Sequence, residues 1–160
     1  FALTAADIDG RQKVGQAAEL GQLPVVKAAL ADVGKGGYPE AVTRIGFLLQ
    51  RHGQPMPLSR LELRAELADR HRALLPEGTP DELRRTRGIQ EIIVRFDPDA
   101  ALETLPALLS DPADRQTLFK LVDAIIGDMR AAGQEPTQAQ YAAWEKVQKV
   151  LGRSKPAGRK

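Results

Sequence analysis

"RTRGIQEIIVRFDP", residues Arg85 to Pro98, decides the fold of this chain. Its Ile89, Ile92, Ile93, Val94 and Phe96 are β-branched and aromatic residues of the kind that fill strands. Their spacing argues against a strand. Ile89, Ile92, Ile93 and Phe96 fall at i, i+3, i+4 and i+7, one face of a helix, whereas alternation would place Ile89, Glu91, Ile93 and Arg95 together on one strand face. Upstream, "TPDE" (Thr79 to Glu82) has the spacing of a reciprocal capping box, and downstream Asp97 and Pro98 stop the helix. The stretch predicts a helix over 80–96 and, with it, an all-α chain.

Working outward, the same punctuation recurs. A small or polar residue followed by proline opens helices, because proline at the first turn loses no hydrogen bond there. It appears in "YPEAV" at 38, "DPDAAL" at 97 and "DPADRQTL" at 111, with further capping-box spacings in "SRLE" (Ser59 to Glu62) and "TQAQ" (Thr137 to Gln140). Leu118, Leu121, Val122, Ile125, Ile126 and Met129 form a wide apolar stripe at helical spacing. Trp144, Val147 and Leu151 form another, closed by Gly152. The predicted helices are 4–20, 24–33, 39–51, 58–75, 80–96, 98–109 (bent or shortened by Pro106), 112–131 and 138–151. About seven or eight helices are therefore expected in a single compact domain. "GKGG" at 34 to 37 reads as a hinge, so that 1–36 is a helical arm, 37–152 the bundle and 153–160 a disordered basic tail. "FLLQRHGQPMPLSRLEL" and "DMRAAGQEPTQAQYAAW" echo one another as helix, Gly-Gln loop and capped helix.

The 160 residues suffice for one domain with a real core. Hydrophobic residues at 42% beside 28% charged residues fit a globular chain. The apolar runs fall far short of the roughly 20 residues of a membrane-spanning helix. No signal-peptide pattern is present, and cysteine is absent, which removes disulfides and thiolate chemistry and fits a cytoplasmic location. Phe1 in place of Met points to a fragment, a processed product or the tail of something longer. The net charge of +2 comes from the end of the chain. Without Arg153, Lys155, Arg159 and Lys160 the body holds 19 basic against 21 acidic residues, so nucleic acid is not the expected partner.

Catalytic patterns fail in turn: there is no nucleophile elbow, phosphate loop, dinucleotide fingerprint or zinc-protease helix. Ser59 and Ser110 read as helix caps, which leaves no serine nucleophile. His52 lies in a turn and His71 is flanked by Arg70 and Arg72, whose positive charge opposes a metal or acid/base role. "DIDG" at 7 to 10 fails as a calcium loop, with Arg11 and Ala18 where acids are needed. The arginines at 70 to 72 and 84 to 87 read as surface charges balanced by Glu77, Asp81 and Glu82, and Trp144 as a core anchor. No catalytic, cofactor-binding or metal-ligating residue is assigned.

"KGGYPEAVTRIGFLLQRHGQPMPLSRLELR" and "RGIQEIIVRFDPDAALETLPALLSDPADRQTLFKLV" resemble the C-terminal helical region of a bacterial family of polyhydroxyalkanoate-synthase-like (3-hydroxyalkanoate synthetase) proteins, over about Val25 to Gly152. More distantly, the chain is similar to the tellurite-resistance TerB-like helical module, whose acidic loops are replaced here by "RHGQ" and "AAGQ". The first resemblance implies a non-catalytic accessory or interaction domain. Its partner would be an upstream α/β-hydrolase-like portion, another protein or a polyhydroxyalkanoate granule. The second implies a TerB-like bundle, and as the alternative a stress-response module binding a metal ion or small ligand near Glu62 and Glu135.

Overall fold

The computed structural model describes residues 23–60 and 69–153. The expected helix 4–20 and residues 61–68 of the expected helix 58–75, Glu62 among them, lie outside the described residues; the described end of that second helix is a turn at His71 followed by 3₁₀ structure. Every described element is helical: α1 (Pro24–Ala31), α2 (Tyr38–Gln50), α3 (Pro57–Arg60), a 3₁₀ turn at Arg72–Leu74, α4 (Pro80–Phe96), α5 (Pro98–Glu103), α6 (Leu105–Leu108), α7 (Pro112–Ala131) and α8 (Gln138–Val150). The chain is a single all-α domain.

The opening stretch is α4, with the limits its sequence predicts. Thr79 Oγ1 accepts from the Glu82 N–H at 3.1 Å and Glu82 Oε1 accepts from the Thr79 N–H at 2.9 Å, closing the capping box. Ile93 and Val94 are buried, with Ile89 and Ile92 half-buried against the same core. The α7 stripe is buried from Leu118 to Met129, and Phe119 joins it. Trp144 is buried and meets Phe119 edge-on, ring centroids 6.2 Å apart, while its Nε1–H donates to Asp123 Oδ1. Gly152 closes α8, and the Arg153 N–H reaches back to Gln148 O at 2.8 Å.

Three local expectations change. The helix expected over 98–109 divides into α5 and α6 at Thr104, because Pro106 has no N–H to carry the helical ladder across the join. The cap of α7 is Asp111 and not Ser110; the Asp111 carboxylate accepts from the Ala113 N–H at 2.9 Å. Ser59 lies inside α3, since Pro57 already occupies the first helical position.

Helix α2 lies at the centre. Ala41, Val42 and Ile45 have no exposed surface, and the helix packs on α3, α4 and α8. A helix buried on nearly all sides is carried by packing more than by propensity. Helix α1, placed by the sequence on the arm side of the "GKGG" stretch, packs on α4 and buries Val26 and Ala29. The two Gly-Gln loops lead to one place: Thr137 Oγ1 donates to His52 O at 2.6 Å, and Gln140 Nε2 donates to Leu49 O and Gln54 O.

Candidate functional site

A groove of about 410 Å³ opens between the α1–α2 connection and the first half of α4. Two helix starts form its walls, and they are built from the same local chemistry. "GGYPE" opens α2: Gly37 is the cap and Glu40 Oε1 accepts from the Gly37 N–H at 2.8 Å. Glycine offers no side-chain oxygen, so only half of the reciprocal box exists there. "GTPDE" opens α4 with both halves formed. Each glutamate therefore closes the positive end of its own helix. The Thr79 backbone N–H and hydroxyl hold the Glu82 carboxyl below the usual carboxylate range.

Beneath the groove lies a buried cation. Arg44 has no exposed surface, and its hydrogen-bond partners are all neutral. Its Nε donates to Gln90 Oε1 at 2.7 Å, and its Nη1 donates to Thr104 Oγ1 at 2.8 Å and Ala101 O at 3.3 Å. Burial pulls the guanidinium down to about 10, with Glu40 one turn earlier working in the opposite sense. It remains charged at neutral pH. Through these bonds Arg44 fixes the break between α5 and α6 and turns the amide of Gln90, a residue that lines the groove while only 2% exposed.

The charged residues singled out in the sequence fall elsewhere. His71 is 9% exposed: its Nε2 lies 2.6 Å from Asp128 Oδ2, and Arg70 donates to Asp128 Oδ1 at 2.7 Å. The carboxylate that offsets the arginine beside it stands 57 residues away on α7, where no local pattern could reveal it. Arg72 pairs with Asp69, and Arg84 with Asp81. His52 is exposed, and Glu135 lies 3.8 Å from Arg130 on the surface. Arg153, counted with the basic tail, is tied to Asp123 at 3.1 Å and stacks over Phe119 at 4.8 Å. Lys155, Arg159 and Lys160 lie outside the described residues. Among the described residues no three histidines or carboxylates converge as a metal site.

The groove itself was missed. Its signal was present, a glycine ahead of the cap and a glutamate three residues beyond it, twice over. No helix among the described residues is long and apolar enough to cross a membrane. Comparison with family models, with curated proteins and with solved structures finds no match.

Proposed function

We propose that this domain is a non-catalytic accessory module of a polyhydroxyalkanoate-synthase-like protein and docks onto the hydrolase-like portion through the groove between the α1–α2 connection and α4. The observation that carries the reading is the groove: an open recess between two rigid, self-capped helix starts, on a body whose other buried polar groups are largely spent on its own fold. Arg44 ties α2 to α4 and α5, Gln140 ties α8 to the end of α2 and to the α2–α3 loop, and Arg115 joins Leu109 O to Leu151 O. Such ties make a stable platform for a partner. The resemblance over Val25 to Gly152 supplies the partner's identity.

The test has two steps. An immunoblot of source cells should show a band well above the size of this chain. The upstream portion, expressed separately, should then bind this domain in calorimetric titration, and Glu77→Lys on the groove rim should weaken that binding. A native protein no larger than these 160 residues would overturn the reading.

A second reading is favoured by one contact, that of the two Gly-Gln loops at His52 and Thr137, as a paired helix-loop-helix ligand module would have it. Titration with calcium and zinc decides it. Saturation at micromolar ion supports that module, and no heat at millimolar ion removes it.

A further inference from the structure

We infer that Glu40 is a two-position switch at the edge of the groove: its carboxylate caps the Gly37 N–H in one position and pairs with Arg44 Nη2, one turn further along α2, in the other. The switch deepens the docking reading by giving the groove a covered and an uncovered form. It is tested on the domain alone, so it can fail while that reading stands.

An unmet donor starts the argument. Arg44 has no exposed surface, and its buried Nη2 has no hydrogen-bond partner, although Nε and Nη1 are both bonded. A buried guanidinium N–H left unpaired is costly, the more so where every bond that the group does make goes to a neutral atom. Glu40 stands four residues before Arg44 on the same helix. Glutamate followed by a cation at i+4 is the favoured order for an ion pair along a helix. Glu40 is also the carboxylate whose charge acts on this guanidinium.

In the structure that carboxylate is engaged at the helix start instead. Glu40 Oε1 accepts from the Gly37 N–H at 2.8 Å. The side chain lies so close over Gly36 that a Cβ there would come within 2.6 Å of Glu40 Cγ. Only a glycine at 36, where φ is +132°, leaves the capping position open. The cap gives one backbone hydrogen bond at a half-buried site. The inner position gives a charge-assisted bond to a buried cation but draws the carboxylate out of water. These opposing terms leave the inner form as a minor state of roughly 0.1–10%. In it Gly36, on the groove wall, is uncovered.

Relaxation dispersion on the ¹⁵N-labelled domain reads both ends of the switch, the Gly37 amide and Arg44 Nε. The parent should show exchange at both with one rate constant. Glu40→Gln keeps an oxygen for the Gly37 cap and removes the charge drawn to Arg44, so exchange at both should vanish. Gly36→Ala sets a methyl group in the capping position. It should drive Glu40 inward, speed hydrogen exchange at Gly37 by about tenfold, the loss of one net hydrogen bond, and shift the Arg44 Nε signal. Should strain at that φ keep Gly36→Ala from folding, the parent and Glu40→Gln decide alone. No exchange in the parent, or exchange unchanged in Glu40→Gln, would overturn the inference. So would a freed Gly37 amide in Gly36→Ala with Arg44 Nε unmoved, because the carboxylate would then have gone to water.

Discussion

Arg44 is charged, fully buried and bonded only to neutral groups, so each partner it has is costly to remove. Gln90→Met leaves the buried Nε–H without its acceptor. It should cost about 2–3 kcal/mol, the range for hydrogen bonds to charged groups. Arg44→Met together with Gln90→Met removes donor and acceptor together and should cost less than Gln90→Met alone, because an apolar pair of similar volume leaves no buried charge uncompensated. Urea unfolding of the three proteins checks this; a double variant less stable than the single would show that the guanidinium is a net stabiliser. Tyr38 gives a pH test. Its hydroxyl donates to Leu74 O at 2.5 Å, and burial, with Asp114 nearby, raises its pKa. A raised folded pKa means stability fully present below the unfolded value of about 10 and lost as pH climbs above it. Tyr38→Phe should therefore cost about 1 kcal/mol at pH 7 through the lost hydrogen bond, and the gap from the parent should narrow at pH 11. Arg44 has its folded pKa lowered to about 10, so it adds stability as pH rises beyond that. It does so in both proteins and cancels from their difference.

At the scale of elements, α4 shows how far local pattern reaches. Ile93 has no exposed surface, and Ile93→Ala should cost roughly 2–5 kcal/mol; a urea midpoint indistinguishable from the parent's would reject the face assignment. Gly53 tests the join between the α2–α3 loop and α8. A Cβ there would come within 2.4 Å of Thr137 Cγ2 and 2.7 Å of its Oγ1. Thr137 cannot yield cheaply, since its hydroxyl both caps α8 and bonds His52 O. Gly53→Ala should destabilise by about 1–3 kcal/mol and speed hydrogen exchange in the first turn of α8; unchanged exchange would mean that the loop moves aside. The limits of α4 and α7 were legible in the sequence because helical periodicity and proline or capping signals agreed there. The break at Thr104 was legible only as an effect of Pro106, since its other cause is Arg44 Nη1, 60 residues away. Gln90 was overlooked because a polar residue interrupts an apolar stripe. Yet it lies three residues before Ile93 and four before Val94, on the face they bury. The partner of His71 was hidden for a related reason, its carboxylate being 57 residues away in sequence.

At the scale of the whole molecule, the sequence could place the helices but not the recess between them. The groove arises where two helix starts some 40 residues apart approach each other, and pattern reading joins residues only within an element. The central claim is that this face docks the domain onto a larger protein. Its most direct test is to map the amide shifts of the ¹⁵N-labelled domain as the unlabelled form of the proposed hydrolase-like partner is added. The account predicts saturable changes concentrated at Gly36, Gly78, Thr86 and Gln90. Changes confined to the exposed faces of α7 and α8, or no change at saturating partner, would contradict it.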